Sequence, residues 1–242
     1  MLRVNQLSKR YGSKIALAPL TFDIGPGRIL GLVGPNGAGK TTTISCLAGI
    51  LRPDTGSMQW NDKDLLQQSG VVSLIPESPE VYPLLTVYEH MEFTARLFKL
   101  PDTWRQEADQ RLSEMDLDPH RHTLGSALSK GLRQRLLLAC MALRHAQVLL
   151  VDEPMIGLDP KGQRDVKRLL SQFKAQAAAI VLSSHQLGLV EELADEVIIL
   201  NHGTLVARGS IEALRKTSAS RGSSLEELFF QYTGSDSGDP HS

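Results

Sequence analysis

The chain has 242 residues, of which 41% are hydrophobic, so it can bury the core of one large domain or of two closely packed ones. Its 26 basic and 27 acidic residues leave a formal net charge of -1, which excludes a global electrostatic attraction to nucleic acid or to an anionic membrane. The beginning lacks the apolar core of a signal peptide, and no later stretch approaches the roughly 18 consecutive apolar residues of a spanning helix. Any membrane role is therefore expected to depend on a partner protein.

Short runs rich in Val, Ile and Leu predict β-strands along most of the chain. In chain order these runs are 2–7, 17–24, 28–33, 57–60, 71–75, 148–152, 179–183 and 197–200. Helical patterns separate several of them, and this alternation favours an α/β fold with a mainly parallel central sheet. We expect the strands at 2–7, 17–24 and 57–60 to form an antiparallel edge.

The middle of the chain has a different pattern. Between 88 and 143, apolar residues recur three and four positions apart, which is typical of helices, and the first helix is expected to begin after Thr86. Few strand-like runs interrupt this segment. We therefore predict a helical subdomain at 77–146, inserted into an α/β core that consists of 1–76 and 147–215.

The last part of the chain carries one more helical signal. Leu225, Leu228 and Phe229 form an apolar stripe, which predicts a short helix that docks on the core. The residues after this stripe are small and polar, and they predict a disordered tail. The segment 216–242 is thus interpreted as a C-terminal helix followed by a flexible tail.

The strongest motif is GPNGAGKTT at 34–42, which lies between the predicted strand at 28–33 and a helical pattern. Phosphate oxygens need several converging N–H donors, and a glycine-rich turn folds closely around them because no Cβ atoms obstruct the approach. The following helix adds its positive end. We expect Lys40 to contact the β- and γ-phosphates of ATP, and Thr41 to bind Mg²⁺. The predicted nucleotide-binding residues of this loop are Asn36, Gly37, Ala38, Gly39, Lys40, Thr41 and Thr42.

Two other interpretations of this loop fit less well. A glycine-rich turn that binds nothing would not need the strand-loop-helix context in which the motif occurs. The dinucleotide fingerprint GxGxxG is absent, since the glycines are spaced as GPNGAG. The sequence therefore favours a nucleoside triphosphate as the ligand.

A second part of the phosphate chemistry follows the predicted strand at 148–152, which ends in two adjacent carboxylates. Asp152 is expected to hold Mg²⁺, and Glu153 is the candidate for orienting and activating the attacking water. A carboxylate pair at the end of a strand is common on protein surfaces. The catalytic interpretation of this pair therefore depends on the presence of the phosphate loop.

From 11 to about 209, the sequence resembles the nucleotide-binding subunits of ABC transporters. The segment LSKGLRQR at 128–135 resembles the ABC signature, which separates this family from other P-loop ATPases. The resemblance implies that Ser129 and Gly131, at the start of a helix, contact the γ-phosphate bound to the opposite subunit. An ordinary helix capped by serine fits the local pattern equally well, and the position among the other motifs favours the signature.

Three further residues take their roles from this resemblance. Asp159, in the GLD segment at 157–159, resembles the D-loop residue that helps to couple two subunits. His185 directly follows an apolar strand and corresponds to the switch residue that contacts the γ-phosphate. Tyr11 corresponds to the aromatic residue that stacks on adenine. By themselves, a lone histidine and a lone aromatic residue are also compatible with surface or packing roles.

The sequence departs from the family pattern at three places. Glu77 occupies the position of a glutamine that contacts Mg²⁺ or water, and it adds negative charge beside the other carboxylates. The signature contains Lys130 and Leu132, and Met155 replaces a small polar residue. None of these changes removes a reacting group, so an active ATPase is predicted. The predicted catalytic residues are Glu153, His185 and Lys40, and the predicted metal ligands are Thr41, Glu77 and Asp152.

The resemblance also implies partners. We expect separate transmembrane permease subunits, a second ATP-binding subunit that is identical or different, a location at the cytoplasmic face of the cell membrane, and no nucleic acid. The region around Tyr82 and 84–85 is the expected contact for the membrane subunit. The ending SLEELFFQYTG resembles exporter-type subunits of the multidrug, bacteriocin and antibiotic group, which favours export.

Two alternatives to transport remain at this point. One is a soluble ABC ATPase that acts in macromolecular assembly or remodelling. The chain has no long coiled-coil insertion or basic stripe of the kind expected in DNA repair, and it has a single cassette, unlike translation-factor relatives. The other is a nucleotide-binding module without turnover, which Glu153 argues against.

Overall fold

The computed structural model describes residues 1–156, 158–217 and 224–234. In these residues the strands are β1 (Leu2–Tyr11), β2 (Lys14–Ile24), β3 (Ile29–Val33), β4 (Thr55–Trp60), β5 (Lys63–Asp64), β6 (Val72–Ile75), β7 (Val148–Asp152), β8 (Ala179–Ser183), β9 (Glu196–Asn201) and β10 (Thr204–Gly209). The α-helices are α1 (Lys40–Leu47), α2 (Val87–Leu97), α3 (Trp104–Glu114), α4 (Lys130–Leu143), α5 (Pro160–Ala175), α6 (Leu187–Leu193), α7 (Ile211–Thr217) and α8 (Leu225–Thr233).

Six strands form the central sheet in the order β10-β9-β3-β8-β7-β6. Five of them are parallel, and β10 pairs antiparallel to β9 at one edge. Alternate residues of β7 enter different cores: Leu149 and Val151 pack with the helices α2 to α5, whereas Val148 and Leu150 pack with α1 and the second sheet. Burial on both faces explains why these strands are continuous apolar runs, and the predicted parallel sheet is confirmed.

The remaining strands form a separate antiparallel sheet in the order β2-β1-β4-β5. The strands predicted at 2–7, 17–24 and 57–60 are confirmed, but they pair with one another and do not extend the central sheet. Its antiparallel edge is β10, whose Leu205 and Val206 are exposed. The sequence did not indicate β10, because an exposed edge strand has no continuous apolar run.

Helices α2, α3 and α4 all lie between β6 and β7 and pack on one face of the central sheet. Thr86 caps α2 in a capping box: its Oγ1 accepts a hydrogen bond from the Glu89 N–H (3.2 Å), and its N–H donates to Glu89 Oε2 (2.7 Å). The two bonds satisfy donors that would otherwise be unpaired, so the helix begins where the sequence predicts.

Near the C-terminus, α8 confirms the helix predicted from the apolar stripe. Leu225 and Leu228 are fully buried, and a capping box between Ser224 and Glu227 fixes the first turn. The predicted tail at 235–242 lies outside the described residues, as does the segment 218–223. Among the residues that the structure describes, no helix has the length and apolar character that crossing a bilayer requires.

Candidate functional site

The loop at 34–39 connects β3 to α1 with an unusual backbone. Gly37 has φ +79° and Gly39 has φ +103°, in the left-handed region that residues with a Cβ rarely adopt. A Cβ on Gly34 would lie 2.5 Å from the Leu200 carbonyl oxygen, so the loop packs closely on β9. Only glycine allows this path, and the N-terminal end of α1 opens directly onto the loop.

Lys40 is the first residue of α1, and its side chain is buried over the loop. Its Nζ donates to the carbonyl oxygens of Gly34 (2.7 Å) and Pro35 (3.3 Å). Burial lowers the pKa of Lys40, and the negative charges of Glu153, Asp152 and Glu77 oppose that shift. The three predicted acidic residues are therefore close enough to act on the ammonium group, which bonds only neutral carbonyls here and is available to a phosphate.

The carboxylate pair lies at the end of β7, beside β8. Asp152 is buried, and the Ser183 hydroxyl donates a hydrogen bond to its Oδ1. Glu153 adopts φ +46°, a strained conformation for a residue with a side chain, and its N–H donates to the Ser183 carbonyl at 3.1 Å. This turn ends the strand and directs the Glu153 side chain into the cleft, away from the buried position of Asp152.

His185 and Glu153 form a direct pair. The Nδ1 atom of His185 is 2.8 Å from Glu153 Oε2, and the same oxygen accepts from the His185 N–H (3.2 Å) and the Ser184 hydroxyl (3.4 Å). These contacts fix the Glu153 side chain, whereas the imidazole is half-exposed. Two predicted residues that follow the neighbouring strands β7 and β8 are thus joined by hydrogen bonds to one carboxylate oxygen.

An open cleft of about 660 Å³ contains most of the predicted site. This volume falls within the usual range of small-molecule sites. The predicted residues that line it are Tyr11, Asn36, Gly37, Ala38, Gly39, Lys40, Thr41, Thr42, Glu77, Glu153 and His185. Tyr11 ends β1 and is half-exposed, and Glu77 is exposed in the loop after β6. The antiparallel sheet, the central sheet and the loop therefore each provide one wall.

Four predicted residues do not line this cleft: Asp152, which is buried at the end of β7, and Ser129, Gly131 and Asp159. Ser129 is exposed and caps α4, where its Oγ accepts from the Leu132 N–H at 3.3 Å. A Cβ on Gly131 would have no neighbour within 4 Å. Asp159 caps α5 by accepting from the Gly162 N–H at 2.7 Å, and most of its side chain is exposed. One chain alone does not bring Ser129, Gly131 or Asp159 to the phosphate loop. Gly157, which precedes Asp159 in the predicted D-loop, lies outside the described residues.

Several residues of the site were not predicted from the sequence. Lys14, Ala16, Leu187 and Phe229 also line the cleft. Ser183, which holds Asp152, also went unpredicted. Ser183 is the last residue of a predicted strand, so its place at the carboxyl edge of the sheet was a usable signal. The sequence predicts only a packing role for Phe229, because nothing near this residue in the sequence points to a ligand.

Comparisons with known proteins give a consistent result. The model of a family described as ABC transporter matches residues 17–156. The chain is 31% identical over 243 residues to the ABC-type transporter ATP-binding protein EcsA of Bacillus subtilis (strain 168), covering 98% of each chain. It is 35% identical over 212 residues to the SkfA peptide export ATP-binding protein SkfE of the same organism, covering 85% of this chain and 87% of that one. A solved structure described as an ATP binding subunit of an ABC transporter is 31% identical, with a TM-score of 0.89, and covers 96% of this chain and 99% of that chain.

Proposed function

We propose a mechanism of ATP hydrolysis for this chain, which belongs to the ABC transporter family as an ATP-binding subunit with ATPase activity. The match to the family and the similarity to its ATP-binding subunits confirm the family and the ATPase activity that the motifs predict. Lys40 exchanges its bonds to the Gly34 and Pro35 carbonyls for bonds to the β- and γ-phosphates. The loop amides at 36–42 bind the remaining phosphate oxygens, and Tyr11 stacks on the adenine ring.

The proposed metal is Mg²⁺. Within the described residues, no three His, Cys, Asp or Glu side chains are placed to bind a metal without help. Proteins usually hold Mg²⁺ with one or two carboxylates together with substrate phosphates. The Thr41 hydroxyl, the buried Asp152 carboxylate and the Glu77 carboxylate supply the hard oxygen donors that this ion prefers. When bound, the ion neutralises negative charge on the phosphates.

Glu153 orients the attacking water and accepts its proton. The observation that carries this proposal is the arrangement around Glu153 Oε2, which accepts from His185 and Ser184 and so holds the carboxylate beside the phosphate loop. The other carboxylate oxygen makes no contact with these two residues and is free to face the water. His185 bonds Glu153 through Nδ1 and contacts the γ-phosphate through Nε2, so it connects the base to the group that is cleaved.

Ser129, Gly131 and Asp159 act in the opposite subunit. Ser129 and Asp159 are exposed, a Cβ on Gly131 would have no neighbour within 4 Å, and all three lie outside their own cleft, as residues that complete a neighbour's site must. Two subunits associate head to tail around two ATP molecules, and each γ-phosphate bridges one loop and the partner's signature. Hydrolysis removes this bridge, which weakens the closed dimer relative to the open one.

A patch on the helical segment fits a membrane partner. Tyr82, Leu84, Phe93 and Leu97 are exposed, Leu84 to 81%, and the rings of Tyr82 and Phe93 contact edge to face with centroids 5.0 Å apart. Exposed aromatic and aliphatic side chains are typical of interaction surfaces. We assign this patch to separate transmembrane subunits at the cytoplasmic face of the membrane. Similarity to a relative named for peptide export favours export as the direction.

The catalytic proposal is tested with two variants and a control. Lys40→Ala is expected to abolish Mg²⁺-dependent ATP affinity. Glu153→Gln is expected to retain ATP binding, to accumulate the closed dimer and to slow phosphate release about 100-fold or more. Glu80→Gln changes an exposed carboxylate that does not line the cleft and serves as the matched control. Phosphate release by Glu153→Gln at the parent rate would refute the role of Glu153.

The docking proposal is tested by photocrosslinking in cells. A photoreactive amino acid at Leu84 is expected to crosslink to a membrane subunit. The same amino acid at Ile50, which is 70% exposed and lies outside the patch, is the control. Equal crosslinking at both positions, or none at Leu84, would count against this surface.

A further inference from the structure

One aromatic residue of the nucleotide cleft, Phe229, comes from the C-terminal part of the chain. Phe229, on α8, lines the cleft together with the phosphate loop, Glu153 and His185, and it is partly buried. It is separated from the phosphate loop by almost 190 positions. The last described helix is thus part of the wall of the site where ATP is proposed to bind.

Helix α8 is firmly attached at this position. Leu225 and Leu228 are fully buried in a cluster that includes Val190 of α6 and Val33 of β3. At its C-terminal end, Asn201 Nδ2 donates to the Thr233 carbonyl at 3.2 Å. The attachment at both ends holds the ring of Phe229 at the cleft.

The neighbour of α8 is the segment that carries His185. Helices α6 and α8 pack together, and α6 begins at Leu187, two residues after His185. Leu187 and Phe229 pack against the same apolar cluster and also line the cleft. Gln186 precedes α6 and its side chain makes no capping bond. The start of α6 is therefore held by the hydrogen bond from the Gln186 N–H to Ser184 Oγ (3.0 Å) and by packing of Leu187 on the apolar cluster.

We propose that Phe229 is a positioning residue for His185: it supports the start of α6 and so holds the imidazole where it bonds Glu153 and meets the γ-phosphate. This inference rests on the proposed function of the cleft. His185 is held by hydrogen bonds to Glu153 on one side and by the short α6 on the other. Without the ring of Phe229, the second support weakens, and only ligands that carry a γ-phosphate lose affinity.

The test compares two ligands. The affinities of the full chain for ADP and for an ATP analogue that cannot be hydrolysed between the β- and γ-phosphates are measured for the parent and for Phe229→Ala. We expect the analogue to bind about fivefold more weakly, which is roughly 1 kcal/mol, and ADP to bind within about twofold of the parent. Phe229→Leu, which keeps part of the apolar contact, is expected to give a smaller loss in the same direction, and it replaces the alanine variant if that variant does not fold.

Phe230→Ala is the matched control. Phe230 is the next residue of α8, its ring contacts that of Phe229 edge to face at 5.7 Å, and it does not line the cleft. It is expected to leave both affinities unchanged. A loss that is equal for ADP and the analogue, an equal loss in Phe230→Ala, or no loss in Phe229→Ala would each overturn the inference.

A double-mutant cycle separates action through His185 from direct contact. If Phe229 acts through the imidazole, Phe229→Ala has no further effect on analogue affinity in a His185→Ala background, whereas additive losses would refute the positioning role. A parent chain that binds neither ligand would refute the proposed function itself. Normal binding by the parent with an inert Phe229→Ala would refute only this inference.

Discussion

Gly125→Ala is expected to destabilise the protein through one close contact. Gly125 lies three positions before the predicted signature and against the predicted docking region around Tyr82 and 84–85, and a Cβ there would be 2.4 Å from the Tyr82 carbonyl oxygen. The same Cβ would be 3.1 Å from Val81 Cγ2 and 3.3 Å from His90 Cε1. The closest atom belongs to the backbone, so no side-chain rotation relieves the clash.

The surrounding hydrogen bonds make this clash costly. The Gly125 N–H donates to the Leu85 carbonyl at 2.8 Å, and the Ser126 N–H donates to the Pro83 carbonyl at 3.1 Å. Moving the loop away from the new methyl group strains both bonds. Overpacking of this kind costs about 1–3 kcal/mol, which for a chain of this size lowers Tm by roughly 2–12 °C.

The assay is equilibrium unfolding in urea, with calorimetry as a second probe. Gly188→Ala, at a helical glycine whose Cβ would have no neighbour within 4 Å, is the matched control and is expected to be neutral or to stabilise by up to about 1 kcal/mol. If Gly125→Ala unfolds at the same urea concentration as the parent, the loop is not held in contact with this glycine, and the reasoning is wrong.

Three further outcomes are expected. Burial lowers the pKa of His90 below its ordinary value of 6.5, although its hydrogen bond to the Thr86 carbonyl opposes the shift. The unfolded chain therefore binds a proton more readily than the folded chain, and the free energy of unfolding falls as the pH drops below about 6.5. In urea titrations between pH 5 and pH 8, His90→Asn is expected to reduce the dependence of this free energy on pH. A slope that is unchanged in the variant would contradict this assignment. Ser183→Ala removes the hydroxyl that bonds Asp152 and should raise the Mg²⁺ concentration for half-maximal ATP hydrolysis roughly tenfold, whereas an unchanged Mg²⁺ titration would exclude this role. Burial raises the pKa of Cys140 to about 11, so a thiol reagent at pH 8 should modify it only after unfolding, and rapid labelling of the native chain would show that the site opens.

Local signals account for much of what the sequence predicted. The phosphate loop is encoded by adjacent residues, because its glycines set the backbone angles and the next residues start α1. The capping boxes at Thr86 and Ser224 mark two helix starts in the same way, since all their partners lie within three positions. Such features need no knowledge of distant contacts.

The composition of the site beyond that loop depended on the order of the strands. Asp152 and Ser183 are 31 positions apart, and Glu153 and His185 are 32 apart, so each pair meets only because β7 and β8 are neighbours in the parallel sheet. A run of apolar residues predicts a strand but does not specify its partner. For the same reason, the pairing of the N-terminal strands in a separate sheet was not predicted.

The phosphate loop, the carboxylates, the signature and the helical segment could be predicted from the amino-acid sequence, because each is a contiguous pattern with local physical causes. That Ser183 holds Asp152, that His185 bonds Glu153 and that Phe229 reaches the cleft became evident from the folded chain alone. These contacts join residues from separate elements, and their geometry is fixed by packing and strand order, which no single segment of the chain encodes.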